Sequence, residues 1–202
     1  MKSKLLDIFN RRHACHLFQA DRPLTAEDID FILEAGRLSP SSFGLEPWKF
    51  VVLTSQHDKL SLQHACFQQP QVGTASVVIV VLAKLAEMDP DSDYLRRLMS
   101  REYPGDALDA ALKNYRAFHA ATDVKAWSEH QCHIAAANMM TAAAGIDIDS
   151  CAIGGFDPAE VRRILGFDPV RRHPALILAF GYCAQAPGEK QRLPLEELVE
   201  YR

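Results

Sequence analysis

The sequence lacks the short signatures that usually announce an enzyme. It has no G-x-S-x-G, no G-x-x-x-x-G-K-[S/T], no H-E-x-x-H and no G-x-G-x-x-G behind a strand. A nucleophile elbow, a phosphate-binding loop of the nucleotide hydrolases and a zincin site are therefore not indicated. Cys-x-x-Cys is also missing. The five cysteines (Cys15, Cys66, Cys132, Cys151, Cys183) are odd in number and widely spaced, which reads as reduced thiols in a reducing compartment, the cytoplasm. Cysteine sits near histidine at His13/Cys15/His16, His64/Cys66 and Cys132/His133, without the paired spacing of a zinc site, so no metal is expected. The longest apolar run, Ser76 to Ala83, falls far short of the roughly 20 residues that span a bilayer, so no membrane partner is expected. The start, MKSKLLDIFNRR, is basic but has no long apolar stretch or small-residue cleavage site, so it is not expected to be a secretory signal. A large net charge is missing too. Lys and Arg number 22 against 26 Asp and Glu, a net −4 without a basic stripe, which argues against nucleic acid.

What remains is an ordinary globular composition, 48% hydrophobic and 24% charged over 202 residues. A chain this long buries about 70% of its unfolded surface, and a single domain over residues 1–202 is expected. Apolar spacing predicts a helix over 2–12, then an extended or irregular stretch from Arg12 to Phe18. A second helix opens on a capping box of Thr25 and Asp28 and stops near Leu38, ahead of Pro40. A Ser/Pro/Gly loop over 39–47 leads into a strand over 48–54. A weaker helix follows over 56–67. The β-branched run 76–83 reads as a strand buried on both faces. Residues 90–122 are helical in two pieces broken at Pro104-Gly105. An Ala-rich helix covers 127–144, with Gly145 expected as its C-cap. It is either a central core helix or one packed on a symmetry mate, and both can hold at once. A strand follows over 146–153. Asp157, Pro158 and Glu160 then start another helix, and a last strand covers 174–182. The tail, 184–202, has no core-forming pattern, yet Leu193, Leu195, Leu198 and Val199 give it anchors for docking. Strand and helix order points to an α+β sandwich around one mixed sheet.

Three segments carry polar groups suited to a charged ligand: Arg11 to His16, Ser39 to Trp48, and Lys190 to Pro194. The pair Gly154-Gly155 is either a plain turn or a close backbone approach to a planar ligand. Taken together these segments resemble the FMN-dependent nitroreductase family. RRHACHLF resembles its opening "RRS-x-[RK]-x-F", SPSSFGLEPWKFVVLTS its "PSs-x-n-x-QPW-x-f-v-v" stretch, CAIGGFD its glycine-containing turn, and GEKQRLPLEELV its "K-x-R-x-p-l-e-e-v" ending. The order and spacing of these matches span the whole chain.

The resemblance implies a nitroreductase-like α+β fold, a mixed sheet sandwiched by helices, in an intertwined homodimer whose C-terminal arm, 184–202, reaches the partner subunit. It implies FMN as cofactor and NAD(P)H as electron donor. Hydride would pass by way of flavin N5 to a small acceptor such as a nitroaromatic or a quinone, in a ping-pong cycle without a catalytic side chain. Arg12, Lys190 and Arg192 would clamp the phosphate, which favours permanent charges with fork geometry. His13, Ala14 and His16 would lie beside the cofactor. Ser41, Ser42 and Gly44 would reach it from the partner subunit. Ala152, Ile153, Gly154 and Gly155 would line the ring, with a glycine N–H at N5 or O4. Gln68 and Gln71 would meet the pyrimidine edge. Phe43, Tyr115 and Phe118 are candidates for a substrate-pocket wall, though large aromatics mainly fill cores. The departures concern charge. Ala14 stands where Ser is common, His16 and Gln71 where cations occur, Gly154 where some relatives have a carboxylate, and Glu46 where the motif has Gln. His16 would then supply a pH-dependent charge near the flavin. Other readings are reductive dehalogenation, enone reduction or flavin breakdown on the same scaffold, a flavin-holding protein blocked by Phe43, and a cofactor-free interaction domain.

Overall fold

A computed structural model describes all residues, 1–202. Four strands form the sheet: β1 (Trp48–Leu53), β2 (Val77–Lys84), β3 (Asp149–Ile153) and β4 (Arg172–Gly181). Their order is β1-β2-β4-β3, antiparallel throughout, and the one parallel pairing is the isolated bridge from Ala14 to Ser150. Eight helices surround it: α1 (Lys2–Arg11), α2 (Ala26–Arg37), α3 (Gln56–Ala65), α4 (Pro70–Thr74), α5 (Asp93–Glu102), α6 (Ala107–Ala120), α7 (Val124–Gly145) and α8 (Pro158–Leu165). The fold is the expected helix-flanked α+β sandwich, but the sheet is antiparallel and not the mixed one expected: every strand pairing runs antiparallel, and the only parallel contact is the single bridge from Ala14 to Ser150.

Strand β2 shows why a continuous apolar run is needed. Val77, Ile79, Val81 and Ala83 face α2 and α7, while Val78, Val80 and Leu82 face α3, α4 and α8. Successive strand residues point to opposite faces, so a strand covered on both must be apolar at every position. A third cluster, away from the sheet, packs Leu45 and Met88 against α5 and α6. Helix α2 starts on its capping box: the Asp28 N–H donates to Thr25 Oγ1 at 3.1 Å, and the Thr25 N–H donates to the Asp28 carboxylate at 3.1 Å. Helix α8 starts on Asp157, which accepts from the N–H groups of Ala159 and Glu160.

Several boundaries moved. Helix α7 starts at Val124, capped by Asp123, and runs through Gly145. Gly145 is thus its last residue and not its C-cap, and the left-handed turn falls on Asp147 (φ 63°). Residues 146–148 complete that turn, which shortens the strand expected from 146 to β3. Helix α4 was not expected at all.

The cysteines need a correction. Cys15 and Cys183 are joined by a disulfide, with Cα atoms 5.7 Å apart. The bond ties the extended stretch after α1 to the end of β4. Cys66, Cys132 and Cys151 are free and buried, and burial pushes the first two thiols up to about 12. No helix is long and apolar enough to cross a membrane. Two parts bury little within the chain. Helix α1 has no buried residue, and Leu193, Leu195 and Leu198 of the tail are each at least 60% exposed.

Candidate functional site

Arg12 is the residue at which α1 ends; its N–H donates to Ile8 O and its own carbonyl accepts a hydrogen bond from Lys190 Nζ. The tail therefore returns to the first helix. Burial, then the neighbouring charges of Arg12 and Arg192, hold the Lys190 ammonium below its ordinary value. Three cations from opposite ends of the chain thus lie together. None of them has a carboxylate partner, since every ion pair of the chain involves other residues. Clustered like charges are unfavourable unless an anion joins them. Arg11, next in sequence, is spent differently: it pairs with Asp147 and donates to Ala144 O at 2.8 Å, fastening α1 to the end of α7. His13 Nδ1 lies 3.9 Å from the Asp149 carboxylate, and its Nε2 is buried without a partner. Ala14 and His16 are exposed, and Ala14 bridges to Ser150 of β3.

At its other end β3 runs into Gly154-Gly155. A Cβ added to Gly154 would meet nothing within 4 Å, and its φ is not in the left-handed region. The fold therefore has no need of glycine there; the space is open to something outside the chain. Gly155 is held by Gln69, whose Nε2 donates to Gly155 O at 2.7 Å and to Cys66 O at 2.9 Å. Gln71 is buried and donates to Gln69 Oε1 at 2.9 Å, so it reaches the glycine turn through Gln69 and does not project outward itself. Gln68 is exposed, left-handed (φ 62°), and donates to His64 Nδ1 at 2.6 Å. Ala152 is exposed on β3 between buried Cys151 and Ile153.

The third group occupies the loop before β1. Ser41 Oγ accepts from the Glu46 N–H at 2.9 Å, and the Ser42 N–H donates to Gln131 Oε1 at 3.0 Å. Phe43, Gly44 and Glu46 all have positive φ (58°, 63° and 44°), a strained run for the two residues that carry a side chain. Gly44 has no room for more, since a Cβ would lie 2.9 Å from Glu102 Cγ. The strain is held by Arg101, 2.8 Å from the Glu46 carboxylate, and by Lys84 Nζ, which donates to Glu46 O at 3.1 Å and to the Tyr94 hydroxyl. Burial, the largest influence on Lys84, pulls its ammonium down to about 8. The Phe43 ring lies 5.3 Å from those of Tyr115 and Phe118. Tyr115 is fully buried, and its hydroxyl donates to Met88 O at 2.7 Å. It is a core residue behind Phe43 and Phe118, which corrects its assignment to a pocket wall. Sequence reasoning passed over Gln69, Gln131, Lys84, Tyr94 and Arg101. Only Gln69 had a local signal, its place between the two glutamines that were singled out.

One chain does not bring all three groups together. The serine loop is fixed at Gln131 and the cation end at Ala144, thirteen residues along α7, which at 1.5 Å per residue is about 20 Å.

Known proteins resemble the chain in sequence and in fold. The profile of the Nitroreductase family matches residues 10–182. A Staphylococcus haemolyticus protein named as a candidate NAD(P)H nitroreductase is 36% identical, over 100% of this chain and 98% of its own. YfkO of Bacillus subtilis, named likewise, is 35% identical over the same shares. Among solved structures, a nitroreductase-like protein of Streptococcus mutans superposes with a TM-score of 0.89 at 23% identity, covering 100% of both chains. A candidate nitroreductase of Exiguobacterium sibiricum, solved in complex with FMN, gives 0.81 at 22% identity, covering 98% and 97%.

Proposed function

The chain belongs to the nitroreductase family, and from that premise we propose that it is an FMN-dependent oxidoreductase that takes electrons from NAD(P)H and delivers them to a small acceptor such as a nitroaromatic or a quinone. The observation that carries this reading is the meeting of Arg12, Lys190 and Arg192 without any carboxylate. A phosphate monoester near −2 answers such a cluster. The open face at Gly154 fits a flat ring, because only glycine lets a ligand approach the backbone this closely. When bound, FMN supplies the two-electron chemistry, accepting hydride from one substrate and passing it to the next.

The residues then divide the work. Arg12, Lys190 and Arg192 hold the phosphate, and His13, Ala14 and His16 lie along the path from it. Ala152 to Gly155 shape the wall beside the ring, with Gln69 and Gln71 behind. Gln68 stands at the rim. Ser41, Ser42 and Gly44 complete the site from a second subunit, which answers their distance from the cations within one chain. The active unit is accordingly a homodimer, with residues 1–202 a single domain and 184–202 an arm laid on the other subunit. Helix α7 supplies a face for this, with Ile134, Ala137 and Asn138 exposed, and so do α1, with Leu5, Leu6 and Phe9 exposed, and the uncovered leucines of the arm. Exposed apolar surface on such a scale marks an interaction site. Phe43 and Phe118 stand near the serine loop as walls for the acceptor.

The test is the absorption spectrum of the purified protein. A flavin band at about 450 nm, bleached by anaerobic NADH or NADPH and restored by nitrofurazone or menadione, is expected. A colourless protein that ignores added FMN refutes the reading.

A further inference from the structure

We propose that Cys15 and Cys183 form a thiol-exchangeable site whose disulfide holds the phosphate-binding cations in place, so that low-molecular-weight thiols of the glutathione class control FMN retention; this rests on the functional reading above. The bond lies three residues from Arg12 and seven from Lys190, between the two segments that converge on the cation cluster. Beside it the chain is stitched by backbone hydrogen bonds. Cys15 N–H donates to Ser150 O at 3.1 Å, Ala184 N–H to Leu17 O at 2.8 Å, and Gln19 N–H to Tyr182 O at 2.8 Å. Cys183 N–H adds a bond to the Asp149 carboxylate at 2.9 Å. These bonds survive reduction, so the fold does too. Beyond Ala184 the arm has no such stitching before Lys190 meets Arg12. The disulfide is the covalent anchor nearest that free run.

The two sulfurs differ in access. Cys15 is 1% exposed, whereas Cys183 lines a cleft of 290 Å³ formed with Arg11, His13, Asp149 and the chain to Pro187. A small thiolate entering the cleft attacks Cys183 Sγ, forming a mixed disulfide and releasing Cys15 as a thiolate. A second small thiolate attacks the sulfur of the small thiol in that mixed disulfide, yielding the oxidised small disulfide and a Cys183 thiolate. The protein disulfide gains two electrons and two small thiols lose them. The reverse exchange, driven by the oxidised small disulfide, restores the bond. With it broken, only hydrogen bonds join the two segments, so the cation-bearing ends sample more conformations in the FMN-free chain, and the cost of ordering them on binding weakens affinity about tenfold.

The test uses full-length protein stripped of flavin and equilibrated in glutathione buffers. Alkylation followed by mass measurement gives the thiol state, and quenching of flavin fluorescence gives the Kd for FMN. The oxidised protein should bind FMN about tenfold more tightly than the reduced protein. Cys15→Ser and Cys183→Ser should show the weaker value in either buffer, with an unchanged circular dichroism spectrum. Should a variant not fold, the comparison of the two wild-type states decides alone. Equal Kd values in the two states, or a pair that stays reduced in oxidised glutathione, overturn the proposal and leave FMN binding standing. Absence of FMN binding in both states overturns the functional reading, and the proposal with it.

Discussion

Replacing Gly154 with valine puts a branched side chain where an added Cβ meets no atom within 4 Å and where the backbone is not left-handed. Nothing in the chain resists the substitution. The unfolded chain loses conformational freedom when glycine is replaced, which favours the folded state by about 0.4–1 kcal/mol where the backbone is compatible. The apo protein should therefore be as stable to urea as wild type, or more stable by up to about 1 kcal/mol. Ligand binding should respond quite differently. A side chain intruding on a close-packed contact costs about 1–3 kcal/mol, which corresponds to roughly a 5- to 150-fold loss of affinity. Two measurements on one variant thus separate the needs of the fold from those of the ligand: urea unfolding followed by circular dichroism, and FMN titration followed by fluorescence. A destabilisation above about 1 kcal/mol would show that the fold itself requires this glycine. An unaltered Kd for FMN would show that the ring does not lie against Gly154.

Three other perturbations have calculable directions. Gln69→Ala removes the bonds to Gly155 O and Cys66 O and leaves the buried Gln71 amide without its acceptor; a loss of about 2–4 kcal/mol in urea is expected, and less than about 0.5 kcal/mol would deny the relay any structural weight. Arg12→Ala should weaken FMN binding at least about tenfold yet leave riboflavin, which has no phosphate, unaffected; equal effects on both would move Arg12 away from the phosphate. Lys84 falls from an ordinary 10.5 to about 8 in the folded chain. Between those values the unfolded chain keeps the proton that the folded chain has released, so this group makes stability rise with pH from about 8 to 10.5. Lys84→Met should lack that rise, and parallel urea-midpoint curves for the two proteins at pH 7.5–10 would contradict it.

What could be read from the sequence was what is decided locally. The Thr25/Asp28 box and the Asp157 cap are made by residues within three positions of each other, and the two-faced burial of β2 is visible in its unbroken apolar run. Helix α4 escaped because five residues are too few to show a period. Gly145 misled because α7 continues through it and turns instead on Asp147. The disulfide joins residues 168 apart and leaves no local trace. In the candidate site, the convergence of Arg12 with Lys190 was expected only through resemblance to known sequences. Gln131, Lys84 and Arg101 were invisible because each acts on a carbonyl, an N–H or a carboxylate brought to it by the tertiary fold.

Because one uninterrupted helix carries both Gln131, which holds Ser42, and Ala144, which holds Arg11, α7 behaves as a yardstick. Deleting a single residue from its middle would shorten it by about 1.5 Å and swing one end through about 100° relative to the other. Both anchoring points would lose their alignment at a stroke. Length changes in the connection at Pro104-Gly105, or in the stretch between Ala184 and Lys190, have no comparable lever, so sequence drift should accumulate there and spare the helix.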